Sequence, residues 1–109
     1  MEKLVKGDVV VVPFPFSDLS STKKRPALII AALNGDDLIL CQITSSRKDE
    51  YSISLENKNF KEGALGVESS IRPNKLFSAD KSLKLYKIGT LKENKIQEVI
   101  DKLEQILRN

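Results

Sequence analysis

The chain has 109 residues, of which 40% are hydrophobic and 30% charged, and its formal net charge at pH 7 is +3. This size excludes two separately folded cores, and the small charge excess does not by itself indicate a nucleic-acid partner. No apolar stretch reaches the roughly 18 residues of a membrane-spanning helix, and the first residues lack the apolar core of a secretory signal. We therefore expect one domain, residues 1–109, in the cytoplasm and without membrane contact.

Six short segments have the composition of buried or half-buried strands, because Val, Ile and Leu dominate them and turn residues bound them. Asn34-Gly35 lies between the second and third segments and predicts an antiparallel hairpin, since both residues tolerate positive φ. Residues 73–82 are predicted to be a connector that is long enough to carry function. In chain order the predicted strands are residues 8–14, 26–33, 37–44, 50–55, 66–72 and 85–91.

The C-terminal residues predict one amphipathic helix. Thr90 and Glu93 stand at the spacing of a capping box, so the helix is predicted to begin just after Thr90. Five or six strands that close on themselves, with one helix packed against them, predict a mainly β fold: a small barrel with a C-terminal helix. The apolar stripe of the helix, with spacings of three and four residues, consists of Ile96, Val99, Ile100, Leu103, Ile106 and Leu107.

The residue types that are missing exclude several classes of active site. Without histidine the chain cannot build a Ser-His-Asp or Cys-His nucleophile system or an imidazole metal site. Its one cysteine, Cys41, lies in an apolar run and is interpreted as a small buried hydrophobic residue. The acidic pairs Asp36-Asp37 and Asp49-Glu50 are interpreted as solvated turn residues. No Gly-rich phosphate loop is present, and the sequence predicts neither a metal nor a cofactor.

A basic segment and a hydroxyl-rich segment are the candidate functional residues. Pro26 biases Arg25 toward an extended conformation at the start of a strand, where a guanidinium can bind a phosphate with two hydrogen bonds. Thr44-Ser45-Ser46 ends the third predicted strand and offers hydroxyl donors. Because RNA carries its own nucleophile, the 2′-hydroxyl, these two segments suit cleavage of a phosphodiester. Each segment alone is also typical of a solvated loop or turn, so both interpretations stay open at this point.

Taken together, several segments resemble the MazF/PemK family of toxin ribonucleases from toxin–antitoxin systems. The resemblance rests on Gly7-Asp8-Val9-Val10, Lys24-Arg25-Pro26 and Gln42-Ile43-Thr44-Ser45, and it continues in the same order through residues 70–73, 76–81 and 88–91. It implies an SH3-like barrel with a terminal helix, a homodimer and a cognate antitoxin. It also implies metal-independent, sequence-selective cleavage of single-stranded RNA, such as mRNA, leaving a 2′,3′-cyclic phosphate and a 5′-hydroxyl.

The resemblance also implies which residues form the site. By position in the family's motifs, the catalytic arginine falls on Arg25 and the catalytic threonine on Thr44. A general base is not assigned, although Asp18 and Asp80 are conceivable. Two phenylalanines in the candidate set either stack on bases or pack locally, and the sequence does not choose between these roles. The candidate RNA contacts, in a groove near the dimer interface, are Phe14, Phe16, Ser17, Lys23, Lys24, Ser45, Arg47, Arg72 and Lys75.

Two other functions remain open from the sequence alone, because a fold does not determine a function. The first is a toxin that binds DNA gyrase, as the CcdB toxins do. The second is a non-catalytic SH3-like binding module whose basic segment is only solvated. The combination of Arg25 with Thr44 favours the ribonuclease over the gyrase-binding toxin, and the ordered resemblance along the chain favours it over the binding module.

Overall fold

One antiparallel sheet and one helix form the structure, a computed structural model that describes residues 3–15, 22–46, 48–83 and 85–109. A single 3-10 turn, Asn57–Asn59, precedes the fifth strand. In chain order the elements are β1 (Asp8–Pro15), β2 (Thr22–Ala32), β3 (Asp37–Thr44), β4 (Ile53–Leu55), β5 (Phe60–Gly63), β6 (Ser69–Asp80), β7 (Tyr86–Leu91) and α1 (Glu93–Arg108).

The seven strands lie in the order β4-β6-β3-β2-β1-β7-β5, and each neighbouring pair is antiparallel. The sheet curls into a half-barrel, which confirms the predicted mainly β fold with a C-terminal helix. The predicted hairpin of β2 and β3 is also confirmed. The sequence did not predict β5, because only its first residue, Phe60, is buried and the segment therefore lacks the alternation of a half-buried strand.

The strand β2 begins at Thr22, four residues earlier than predicted, so the basic segment belongs to a strand. Lys24 pairs with Pro13 of β1, and Arg25 pairs with Val12. Pro26 is tolerated because the paired residues of β2 and β3 begin only at Ala27, where the opposite residue is Gln42. Near Pro26 the strand therefore has β1 as its ladder partner, and the missing proline N–H does not interrupt a second ladder.

The predicted connector at residues 73–82 is wrong, because most of it belongs to β6. Along β3, Cys41 pairs with Leu76 but its neighbour Gln42 pairs with Arg72. The three intervening residues, 73–75, therefore form a bulge in β6. A bulge accommodates Pro73 and bends the strand, so β6 continues on both sides of it. In the sequence alone, the proline indicates the end of a strand.

The helix α1 confirms the predicted amphipathic helix but not its predicted cap. Its N-cap is Lys92, and no side chain caps the first turn. Thr90 lies instead in β7, opposite Asp8, and its hydroxyl donates a hydrogen bond to the Asp8 carboxylate at 2.9 Å. Within the described part of the chain, no helix has the length and apolarity needed to span a membrane.

Apolar clusters cover both faces of the sheet. Val9 packs in the cluster that contains the helix residues Ile96 and Val99. Its neighbour Val10 belongs to a second cluster on the opposite face, which Leu4 helps to cover. Burial on both faces explains why β1 is a continuous valine run instead of an alternating pattern. Cys41 is fully buried, as predicted, and burial raises the pKa of its thiol to about 12.

Candidate functional site

A cavity of about 350 Å³ lies where the start of β2 approaches the end of β3. Continuing the Ala27–Gln42 register by two residues places Arg25 opposite Thr44, so the two predicted catalytic residues meet at this point. We refer to this space as the Arg25 cavity. Its lining residues are Lys24, Arg25, Pro26, Ile43, Thr44, Ser45, Leu65, Val67 and Ser69.

The Arg25 cavity is electropositive. Two of its lining residues, Lys24 and Arg25, are cationic, and no acidic residue of the described chain lines it. Arg25 is partly buried, and its backbone is held by pairing with Val12 on β1. Lys24 is exposed, and its ammonium lies 5.9 Å from the centre of the Tyr86 ring. A forked guanidinium on a paired strand is suited to bind a phosphate in one orientation.

The hydroxyl of Thr44 has a defined position at the end of β3. The backbone N–H of Ser46 donates a hydrogen bond to Thr44 Oγ1 at 3.2 Å, and Ser46 Oγ lies 3.3 Å from the same atom. A turn of this kind, closed by a threonine side chain, orients the hydroxyl relative to the backbone. Thr44 therefore presents a fixed hydrogen-bonding group at the edge of the Arg25 cavity.

Arg72 lies in β6 and is tied to the loop between β3 and β4. Its Nη2 donates to Asp49 Oδ2 at 3.0 Å, and Asn74 Nδ2 donates to the same oxygen at 3.1 Å. The backbone N–H of Tyr51 and the hydroxyl of Ser52 donate to Asp49 Oδ1. These contacts, with the Arg72 hydrogen bond first, lower the pKa of Asp49 to about 2. Asp49 is exposed in a turn, as predicted, and its carboxylate in addition accepts hydrogen bonds from these four donors.

The structure brings four predicted site residues together: Lys24, Arg25, Thr44 and Ser45 all line the Arg25 cavity. Arg72 and Lys75 lie in or beside the β6 bulge; Arg72 is buried against Asp49, and Lys75 is exposed. The side chains of the other five lie outside the described part of the chain. Phe14 and Lys23 pair in β1 and β2 but their side chains are not described, and Phe16, Ser17 and Arg47 lie outside the described residues.

The structure places one of the two candidate general bases, Asp80, far from the Arg25 cavity. Asp18 lies outside the described residues. Asp80 pairs with Asp37 at the start of β3, whereas Thr44 is the last residue of that strand. At about 3.3 Å per residue, the two ends of β3 are roughly 23 Å apart. Asp80 is thus too distant to accept a proton at the Arg25 cavity.

Three lining residues were not predicted from the sequence. Leu65 and Val67 come from the segment between β5 and β6, and Ser69 is the first residue of β6. They carry no motif and no charge, so no sequence pattern marks them. No group of three His, Cys, Asp or Glu side chains that could hold a metal ion occurs in the described residues.

Comparisons with known proteins all indicate the same family. A model of PemK-like, MazF-like toxins of type II toxin–antitoxin systems matches residues 5–107. A MazE–MazF structure from Deinococcus radiodurans is similar with a TM-score of 0.75 and 21% identity, covering 95% of each chain. MazF from the same organism has a TM-score of 0.72 and 22% identity, covering 97% of each chain.

A more distant structure, an endoribonuclease in complex with its cognate antitoxin from a mycobacterial species, has a TM-score of 0.74 at 12% identity. The match covers 96% of this chain and 95% of that one. At identities this low, the structural likeness shows a shared fold. A comparison with curated proteins gave no match.

Proposed function

Because the chain belongs to the family of PemK-like, MazF-like toxins of type II toxin–antitoxin systems, we propose that it is a metal-independent, sequence-selective endoribonuclease for single-stranded RNA. One observation carries the proposal: Arg25 and Thr44 line the same electropositive cavity, although they come from different strands. A guanidinium and a hydroxyl around one small space can hold a phosphodiester from two sides.

The RNA supplies the nucleophile in this reaction. The 2′-hydroxyl loses its proton to solvent and attacks the adjacent phosphorus. The bond from phosphorus to the 5′-oxygen breaks and the 5′-oxygen takes a proton from solvent, which leaves a 2′,3′-cyclic phosphate and a 5′-hydroxyl. Negative charge builds up on the non-bridging oxygens in the transition state, and the Arg25 guanidinium is suited to stabilise it. Holding the phosphodiester in line for attack is the second contribution of the cavity.

Thr44 acts on the same phosphate in this proposal. Because the Ser46 N–H donates to Thr44 Oγ1, the threonine hydroxyl can direct its own hydrogen to a non-bridging oxygen. Lys24 and Ser45, which line the same cavity, are the RNA contacts that the geometry supports best. Lys75 is exposed and remains a proposed phosphate contact, whereas Arg72 is buried and its Nη2 donates to Asp49.

The assembly is also part of the proposal. Two similar structures are described as MazE–MazF and as an endoribonuclease with its cognate antitoxin. By analogy with them, we expect an antitoxin that covers the Arg25 cavity and blocks RNA. The resemblance further suggests a homodimer with the RNA groove near its interface.

The decisive experiment is incubation of the purified protein with a long single-stranded RNA in EDTA, followed by mapping of new 5′ ends. Wild type should cut at discrete sites. Arg25→Ala should lower the rate by about 10²- to 10³-fold, because one donor to the transition-state charge is lost. Arg108→Ala is the matched control, since it removes an exposed helix arginine that pairs only with Glu104 among the contacts described for it.

Three outcomes would contradict the proposal in different ways. Absence of cutting on varied RNAs would favour a gyrase-binding toxin or a non-catalytic module. Cutting that requires a divalent metal would refute the metal-independent mechanism. Arg25→Ala cutting at the wild-type rate would show that the site lies elsewhere.

A further inference from the structure

A second electropositive cavity lies next to the Arg25 cavity, with a volume of about 590 Å³. We call it the Tyr86 cavity. Its walls come from the N-terminal segment, the turn between β2 and β3, and the residues around the start of β7. The lining residues are Lys3, Leu4, Asp36, Lys81, Leu85, Tyr86 and Lys87.

Positive charge distinguishes these two cavities from others on the described surface. The Tyr86 cavity contains three lysines and one aspartate, and the Arg25 cavity contains two cations and no acid. A cavity beside the 3-10 turn is instead lined by Glu56, Lys58 and Glu68. A cavity on α1 has one residue of each sign, Glu104 and Arg108. A polyanion is therefore attracted to the Arg25 and Tyr86 cavities and not to these other two.

Lys24 and Tyr86 connect the two cavities. Lys24 lines the Arg25 cavity, and its ammonium lies 5.9 Å from the centre of the ring of Tyr86, which lines the other. On β1, Val11 pairs with Pro26 on one side and with Tyr86 on the other, so the side chains of these three residues share one face of the sheet. Lys24 is two residues from Pro26 along β2 and therefore lies on that face as well. The two cavities thus follow one another across β2, β1 and β7.

The Tyr86 ring is open to a ligand. Tyr86 is 52% exposed, although it is an aromatic residue in a strand. The strand β5 pairs with β7 only through Gly89, Thr90 and Leu91, so Tyr86 lies beyond the end of its neighbour. Exposed aromatic rings beside cations are the usual platform for stacking bases of single-stranded nucleic acids, and such stacking tolerates any base.

We propose that the Tyr86 cavity is a second nucleotide subsite, in which a base stacks on Tyr86 while the lysines contact neighbouring phosphates. The strand then continues past Lys24 to the scissile phosphate at Arg25. This inference rests on the proposed ribonuclease function and extends its substrate to several nucleotides. Two of the lysines are already held in place: Lys81 donates to the Gly35 carbonyl at 3.3 Å, and Lys87 lies 3.6 Å from Asp8. An ammonium has three donors, so Lys81 can contact a phosphate in addition to the Gly35 carbonyl.

Asp36 favours a nucleotide over an acidic peptide as the occupant. Its carboxylate lines the Tyr86 cavity and repels an acidic side chain and a phosphate alike, so the net charge does not separate the two occupants. The same carboxylate can accept a hydrogen bond from the amino group of a base. An acidic antitoxin segment is therefore the weaker candidate, and binding experiments can compare the two directly.

Tyrosine fluorescence provides a direct test, because the chain contains two tyrosines and no tryptophan. In Tyr51→Phe, the emission reports on Tyr86 alone. We expect a single-stranded 2′-O-methyl RNA, which cannot be cleaved, to quench this emission on binding. Tyr86→Ala should weaken binding of the same oligonucleotide by about five- to 100-fold, and Tyr86→Phe should bind as wild type does, because its ring still stacks. Lys3→Ala should reduce the salt dependence of binding, whereas the matched control Lys58→Ala should not.

The results separate this inference from the nuclease proposal. Absence of quenching in Tyr51→Phe, or wild-type affinity of a folded Tyr86→Ala, would overturn the subsite even if wild type cleaves RNA. Quenching together with weakened Tyr86→Ala binding would support the subsite even if no RNA is cut. Polyglutamate that binds more tightly than the oligonucleotide, in a manner dependent on Tyr86, would assign the cavity to an acidic protein and overturn the subsite as well.

Discussion

At the scale of single residues, Asp49 is a carboxylate in the loop after Thr44 that connects this loop to β6 through hydrogen bonds. Both of its carboxylate oxygens accept hydrogen bonds, from Arg72 and Asn74 on one side and from Tyr51 and Ser52 on the other. With its pKa lowered to about 2, the carboxylate is a weak proton acceptor at neutral pH. It is therefore unsuited to act as the general base of the proposed reaction. Its contacts join the loop that follows Thr44 to the bulge of β6.

The Arg72 contact can be tested through the titration of Asp49. Its pKa in the folded protein lies below the ordinary value of 3.8, so the ion pair is fully present above about pH 4 and is lost as the pH falls through about 2. Arg72→Ala should raise the pKa of Asp49 toward 3.8, because the first of its donors is removed. NMR titration of the side-chain carboxyl measures this shift. Lys58→Ala, which removes an exposed lysine paired with Glu56, should leave it unchanged.

An Asp49 carboxyl that titrates near 3.8 in the wild-type protein would contradict the contact. So would an unchanged titration in Arg72→Ala, provided that the variant is folded.

At the scale of elements, the close approach of β5 to β7 depends on two glycines. Gly63 has a φ of +78°, and a Cβ there would overlap the carbonyl oxygen of Ile88. A Cβ on Gly89 would lie 2.7 Å from the carbonyl oxygen of Glu62. Neither position accepts a side chain unless the strands separate. Since β5 is the last strand of the sheet and has only four residues, this contact decides whether it pairs at all.

Gly63→Ala should therefore destabilise the fold by about 2–4 kcal/mol, the sum of backbone strain and a steric overlap. Gly66→Ala is the matched control: its φ is +89°, but no atom lies within 4 Å of the added Cβ, so only the strain of about 1–2 kcal/mol remains. Urea unfolding of both variants measures the difference. Equal losses would show that the β5–β7 approach does not constrain position 63.

The elements also show where sequence patterns succeed and fail. The predicted bounds of β3 are those observed, because a hairpin turn and apolar periodicity mark them. The sequence predicts a connector at residues 73–82, where the structure has a bulge at 73–75, because a proline flanked by polar residues resembles a break. Pairing with β3 resumes at Leu76, and this depends on the neighbouring strand and not on the residues around Leu76 in the sequence.

At the scale of the whole molecule, the proposed homodimer makes a separate prediction. The wild-type protein should have twice the mass of the chain in size-exclusion chromatography with light scattering at micromolar concentration. Arg25→Ala should have the same mass, because the Arg25 guanidinium lines a cavity that is proposed to bind RNA and not the second protomer. A monomeric mass at that concentration would contradict the proposed dimer. If that monomer cleaved RNA, the proposed role of Arg25 would be unaffected.

The sequence by itself determined the mainly β class, the C-terminal helix and the burial of Cys41, and it indicated Arg25 and Thr44, the residues proposed for phosphodiester chemistry. These follow from local periodicity, residue type and family motifs. Only the tertiary structure decided that Arg25 and Thr44 share one cavity and that Asp49 holds Arg72. It alone also decided that Lys24 lies against Tyr86. Each of these contacts joins residues far apart in the chain, and the curvature of the sheet, which no local pattern records, brings them together.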